Sequence, residues 1–279
     1  MVAEGFGSKL GKFYVPLVLY LFFLLFPFYW MANTVFKSDM ELYNLDLNPL
    51  YVHSPTFDNV VRLFSETIFL RWMANTFFVA ILATLISLAS SLLAAYAIQR
   101  LRFKTSGPTG VAIFMGYLVP QTILFIPLAQ IIFKVRLWDS LWSLVLTYPT
   151  FLIPFCTWLL MGYFKSIPKE MEECAMIDGA SRIKVFRRII LPLCLPGVLS
   201  AGIFCFTLSW NEYIYALAFI STTHSKTVPI GLVTELVKGD VFHWGPLMAG
   251  ALFASLPVAL VYAFFVEHYV AGMTGALKE

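Results

Sequence analysis

The chain has 279 residues, 59% of them hydrophobic and 13% charged, with a mean hydropathy of +0.79. That balance excludes an ordinary water-soluble domain and places the sequence among helical membrane proteins. A net charge of +3 is too small to suggest a nucleic-acid partner.

Six apolar runs are each long enough to cross hydrocarbon, which takes about 20 helical residues. They cover about 13–36, 72–98, 109–133, 141–164, 191–220 and 245–270. The expected fold is an all-α membrane protein with six transmembrane helices, read as one domain over 1–279. The first run is too long for a secretory signal and no small-residue cleavage site follows it, so a retained helix is expected. Pro27, Pro120, Pro127, Pro149, Pro196 and Pro257 lie in or near the runs. Prolines are tolerated there when neighbouring helices or water satisfy the freed carbonyls, which points to kinked helices around a cavity. Between the first two runs, Phe57, Val60, Val61 and Phe64 suggest a short amphipathic helix resting on the membrane surface.

The segment from about 165 to 190 is the most polar run of the chain. Apolar spans flank it, so it lies outside the hydrocarbon. Pro168 suits the first turn of a helix, and Met171, Cys174 and Ala175 recur at helical spacing opposite Glu170 and Glu173. Gly179 stands where a helix commonly ends in a left-handed residue, and Ser181 can cap a second helix with Ile183, Phe186 and Ile190 on its apolar face. A helix, a tight glycine turn and a second helix are expected at a membrane surface. If the N-terminus is cytoplasmic, the inner loops hold twelve Lys and Arg and the outer loops seven, so both termini and this loop are read as cytoplasmic.

The loop resembles the coupling loop of ATP-binding-cassette (ABC) importer permeases, known as the EAA loop. That pattern is Glu-Ala-Ala, three residues, Gly, nine residues, then Ile-x-Leu-Pro. Here it stands as Glu173-Cys174-Ala175, Gly179 and Ile189-Ile190-Leu191-Pro192, with Cys174 for the first Ala. Asn75-Thr76, Ala94-Ala95-Tyr96-Ala97, Trp210-Asn211-Glu212-Tyr213 and Thr274-Gly275-Ala276-Leu277-Lys278 extend the likeness over most of the chain. Together they are similar to the permeases of carbohydrate importers, specifically the half related to the smaller maltose-type permease. The resemblance implies a prokaryotic inner-membrane subunit that moves a sugar or related polyol inward. It implies as partners a second permease, two ATPase subunits, an extracytoplasmic solute-binding protein and membrane lipid. ATP and magnesium are then expected on the ATPase, and no cofactor in this chain. Glu173, Ala175, Asp178, Gly179, Ser181 and Phe186 become the candidate ATPase-coupling residues, and the tail beyond Gly275 is expected to reach the same interface.

Glu212 is the one acid well inside an apolar run, beside Asn211 and Tyr213. Planar polar groups bind sugar hydroxyls and aromatic faces bind the ring, so these three residues are read as lining or bracing the pathway. A buried charge must face protein or water, which orients Glu212 inward. The alternative is a self-sufficient secondary transporter using an intramembrane acid such as Glu212. No GxxxxGK[ST], no Ser/His/Asp set and no metal-ligand spacing occurs, His224 and His243 lacking partner acids, so neither ATP binding nor enzymatic chemistry is read in this chain. Cys156, Cys174, Cys194 and Cys205 form no CxxC and imply no disulfide frame.

Overall fold

The computed structural model describes residues 10–101, 103–239 and 241–275. By its contacts the chain divides into two compact units, Met1–Leu70 with Leu232–Leu256, and Arg71–Gly231 with Pro257–Glu279.

In the first unit, a π-helical turn over Leu10–Tyr14 leads into α1 (Val15–Val35). Its side chains stay exposed until Asn33, Thr34 and Val35, as suits a helix solvated by hydrocarbon. A loop then folds back on the end of α1. Asn33 Nδ2 donates to the Leu50 carbonyl at 2.8 Å and Lys37 Nζ to the Pro49 carbonyl at 2.6 Å. Ser38 caps the single turn α2 (Asp39–Leu42). The buried Glu41 accepts from the backbone N–H of His53 at 2.8 Å and of Ser54 at 3.1 Å. Burial pushes that carboxyl up, but these donors and the His53 ring outweigh it and hold it below the usual range. The short helix expected near residue 60 is α3 (Asp58–Glu66). Its buried stripe is Asn59 and Leu63, whereas Phe57, Val61 and Phe64 are exposed. On the buried side, Asn59 Nδ2 turns inward to donate to the Val35 carbonyl at 2.9 Å and the Lys37 carbonyl at 2.6 Å.

The long helices follow as α4 (Phe69–Arg100), α5 (Ser106–Tyr117), α6 (Gln121–Lys134), α7 (Leu141–Thr147) and α8 (Pro149–Ser166). Next come α9 (Glu170–Ile177), α10 (Arg182–Val185), α11 (Leu191–Leu193), α12 (Leu195–Trp210), α13 (Ile214–Phe219) and α14 (Val228–Leu236). A two-residue hairpin, β1 (Val237–Lys238) paired with β2 (Val241–Phe242), precedes α15 (Trp244–Gly275).

Among the described residues, four helical stretches are long and apolar enough to cross a membrane: Gly11–Val35, Phe69–Arg100, Leu141–Ser166 and Trp244–Val266. The third and fifth expected spans are bent pairs instead. α5 and α6 meet at 94°, because Pro120 removes a helical donor and biases the residue before it toward extended backbone. The expected fifth span is divided as well. A π-turn over Phe186–Ile190 and α11 enter it, the stretch Arg182–Leu193 meets α12 at 75°, and the helix stops at Trp210.

The core of the second unit is organised on α8. Tyr148, Leu152, Cys156, Leu160 and Phe164 follow one another at every fourth residue and are all fully buried. Each i, i+4 pair shares a face, and at 3.6 residues per turn the buried stripe winds slowly around the helix. α12 lies so close to α8 that a Cβ on Gly197 would stand 2.4 Å from the Tyr163 ring. Gly197→Ala should therefore destabilise the fold by about 1–3 kcal/mol through overpacking. A lowered melting temperature in detergent is the expected reading, and an unchanged one contradicts this packing.

Candidate functional site

The polar loop folds as its turn chemistry dictates. Lys169 is the N-cap of α9, and Glu170, Glu172 and Glu173 occupy its first turn, where the helix dipole favours acids. Gly179 closes the helix at φ +84°, in the left-handed region. Its N–H donates to the Met176 carbonyl at 3.1 Å, and that of Ala180 to the Ala175 carbonyl at 3.0 Å. These are the two bonds of a Schellman cap. Ser181, in extended backbone, accepts from the Lys184 N–H at 3.4 Å and so starts α10.

The six candidate coupling residues divide by face. Ala175 and Phe186 pack inward, with the Phe186 ring 4.8 Å from that of Tyr96. Glu173, Asp178, Gly179 and Ser181 are exposed. Met171 and Cys174, expected on the apolar face beside Ala175, are exposed too. Ile177 and Ile183 stand out at 84% and 71% exposure. The outward surface of the loop is thus a turn carrying acids among bare aliphatic side chains, the composition of a docking face. The tail Ala276–Glu279 lies outside the described residues.

The anchor of this loop is a pair of residues with no local signature. Glu172, on the inward face of α9, meets Arg100 at the end of α4, Nε to Oε1 2.8 Å apart, with side chains 4% and 10% exposed. The same guanidinium donates to the Phe164 carbonyl at 2.6 Å and the Ile167 carbonyl at 2.8 Å. It thereby closes the C-terminus of α8, where a cation also suits the dipole. Tyr96 completes the cluster, its hydroxyl 3.5 Å from Glu172 Oε2. The ends of α4 and α8 and the start of α9 are joined through one arginine. The sequence offers only a weak hint of this, in that Glu172 and Ala175 share a face at i, i+3.

Asn211, Glu212 and Tyr213 form the break between α12 and α13. Asn211 is exposed and its Nδ2 returns to the Thr207 carbonyl at 2.9 Å. Tyr213 is half-buried against the core. Glu212 is buried and accepts three hydrogen bonds: from the Tyr148 hydroxyl at 2.8 Å, the Tyr215 N–H at 2.8 Å and the Ala216 N–H at 3.1 Å. It caps α13 from inside and ties it to α8. Glu212→Leu strands those donors and should cost about 2–4 kcal/mol, whereas Glu212→Gln keeps most of the bonding at about 1 kcal/mol. Thermal unfolding of the two variants distinguishes them, and equal melting points would remove the capping role.

Asn75 and Thr76 have a comparable structural task. Asn75 Nδ2 donates to the His224 and Lys226 carbonyls, both at 2.8 Å, and Thr76 Oγ1 accepts from the Val228 N–H at 2.8 Å, pinning the segment before α14 to α4. A second clamp holds the residues after α13. Asp139, at φ +57°, accepts from the N–H groups of Ser221 at 2.8 Å and Thr222 at 2.9 Å and from the Thr222 hydroxyl. Burial raises its pKa, but the Thr222 hydroxyl and the two N–H groups outweigh that and hold the carboxylate below its ordinary value. A depressed carboxylate stabilises above its unfolded pKa and loses that contribution as pH falls through its folded one. Asp139→Asn should therefore lower the melting point at neutral pH, with the deficit closing below about pH 3.9. A pH-independent deficit would show that the charge is not what matters.

A chain with several apolar spans, some broken, and a capped helix–turn–helix anchored at their ends belongs to the class of multi-pass membrane transport components. Residues 12–275 match the family described as the binding-protein-dependent transport system inner membrane component, and the chain belongs to that family. It is 36% identical, over 91% of its length and 89% of the relative, to the sulfoquinovosyl glycerol transport system permease protein of Agrobacterium fabrum. It is 34% identical to the trehalose/maltose transport system permease protein of Thermococcus litoralis, over 94% of both chains. Its fold matches that of a chain in the crystal structure of a bacterial ABC transporter involved in alginate import, with a TM-score of 0.83 over 96% of this chain and 100% of that one, at 19% identity.

Proposed function

We propose that this chain is a permease subunit of an ATP-driven importer of a sugar or related polyol. Each bent pair is read as one span, giving six in a single permease domain, with both termini and the Gly179 loop in the cytoplasm. A second permease and two ATPase subunits complete the membrane assembly, and a solute-binding protein delivers cargo from outside. ATP and magnesium belong to the ATPase. When it closes on ATP, it draws the docked α9 and α10 with it, and the span ends follow through Arg100. The observation that carries this reading is the exposed acid-and-aliphatic face of the Schellman turn, whose inward side is fixed to the bundle. The named substrates of the two relatives support the sugar class.

Cys174 sits exposed on that face and gives a direct test. A bifunctional thiol cross-linker should join Cys174 to a single cysteine in the docking cleft of the ATPase. Vesicles holding the full assembly should take up sugar only with ATP inside and binding protein outside. Uptake by this chain alone would favour a self-sufficient transporter. That alternative is weakened because Glu212, its coupling acid, is committed to three internal hydrogen bonds.

A further inference from the structure

We propose that an aromatic face on α5, α8 and α12 is a wall of the solute pathway, with Tyr117 and Trp158 as its sugar-recognising side chains. The inference rests on the permease reading above. Phe114 and Tyr117 stand one turn apart on α5, and Phe155 and Trp158 one turn apart on α8. The two helices run antiparallel, so the pairs meet as two rungs. Phe114 lies on Trp158 with ring centroids 5.1 Å apart, and Tyr117 on Phe155 at 5.2 Å. From α12, Phe204 stacks on Phe155 at 4.0 Å. Two of these rings are bare, Tyr117 at 41% and Trp158 at 48% exposure. Among the described residues, neither the Tyr117 hydroxyl nor the Trp158 ring N–H has a hydrogen-bond partner.

Depth argues against lipid as the cover. Tyr117 closes the 12 residues of α5, about 18 Å from its start in a hydrocarbon core of about 30 Å. Trp158 stands two turns inside the end of α8 at Ser166, about 12 Å deep. Tyr and Trp favour the membrane interfaces, and hydrocarbon at this depth would leave both donors without an acceptor. The backbone agrees. Leu118, Val119 and Pro120, the break between α5 and α6, are exposed. Non-helical backbone at membrane depth is tolerated only where protein covers it or a water-filled cavity meets it. The other broken span reaches this break, since the Tyr215 hydroxyl donates to the Gln121 carbonyl at 3.2 Å. A second membrane helix fits the face poorly. Close helix contacts use small residues, and those of α5 are turned onto α8. A Cβ on Gly110 would meet Met161 at 2.8 Å, and one on Gly116 would meet Pro154 at 3.6 Å. What faces outward is large rings and two donors. A sugar satisfies both, its C–H surface against the rings and its hydroxyl oxygens on the donors.

The test uses the complete importer in proteoliposomes, with Cys174→Ala removing the exposed native thiol. Tyr117→Cys and Trp158→Cys should each be labelled by a charged methanethiosulfonate present on both sides, in the nucleotide-free state or in the state trapped by ATP and vanadate. Leu24→Cys, on the hydrocarbon-solvated α1, should stay unlabelled. A thiol under lipid or under a partner helix does not react. An unlabelled cysteine at either wall position, in an assembly that still transports, therefore overturns the proposal. ATP-driven uptake of radiolabelled trehalose or maltose reads the sugar contact. Tyr117→Leu and Trp158→Leu should each lower it about fivefold, whereas Tyr117→Phe and Trp158→Phe keep a ring and should retain about half. Equal uptake by the Leu and Phe variants means that the rings do not meet the solute, and also overturns the proposal. The labelling needs neither Leu variant to fold. If the wild-type assembly moves no solute when ATP is added, the proposed function falls instead.

Discussion

Gly179→Val is expected to cut uptake at least about tenfold while the chain still inserts and assembles in the membrane. The residue stands at φ +84° with nothing within 4 Å of where a Cβ would be, so the obstacle is backbone conformation and not crowding. A left-handed conformation costs an ordinary L-residue about 1–2 kcal/mol, and a β-branched one resists it most. The Val side chain therefore pulls the turn out of the Schellman geometry and turns α10 away from α9. Both helices stay attached to the bundle through Glu172 and Phe186, which is why insertion should survive. Asn tolerates the left-handed region, so the series Asn, Ala, Val should show progressively lower uptake. The measurement is ATP-dependent uptake into vesicles beside a blot of inserted protein. Normal uptake by the Val variant would falsify the role given to this turn.

A larger loss is expected from Arg100→Leu. Removing one member of a buried ion pair leaves the other as an uncompensated charge, typically at about 3–5 kcal/mol. Here the substitution strands Glu172 and also frees the Phe164 and Ile167 carbonyls that close α8. The chain should melt at a markedly lower temperature or fail to accumulate, and the surviving fraction should hydrolyse ATP without moving solute. Glu172→Gln keeps a polar acceptor near the guanidinium and should be milder. The double replacement Arg100→Met with Glu172→Met removes the stranded charge, so it should be more stable than Arg100→Leu alone. A double variant no more stable than the single one would mean that the carbonyl bonds, and not the ion pair, hold this joint.

What the sequence reveals and what it hides divide by distance along the chain. The Gly179 turn is legible because its determinants are local: a glycine after one helical stretch, a serine before the next, and a fixed spacing to Pro192. The apolar runs are legible for the same reason, through length and composition. Their breaks are not. Pro120 stands at a break, as the N-cap of α6, while Pro27, Pro127, Pro154 and Pro257 are carried inside helices, and only packing decides which outcome a proline has. Glu212 reads as an intramembrane acid from sequence; its cap on α13 is local, but its tie to α8 needs Tyr148, 64 positions away. The Arg100–Glu172 anchor spans a comparable separation and leaves no periodic trace. On α3 the helix is legible from its periodicity, but the burial of Asn59 is not, since carbonyls of another segment draw it inward.

The buried stripe of α8 begins at Tyr148, which holds Glu212, and ends at Phe164, whose carbonyl Arg100 holds. Sixteen residues of helix separate these two joints, about 24 Å at 1.5 Å per residue. A lever of that kind has a mechanical signature. Its stiffness resides in the side chains between the joints, Leu152, Cys156 and Leu160, and in how far Pro154 lets the rod flex. Slackening the middle of the rod, without touching either end, should leave both joints intact and yet dissipate the stroke sent from one to the other.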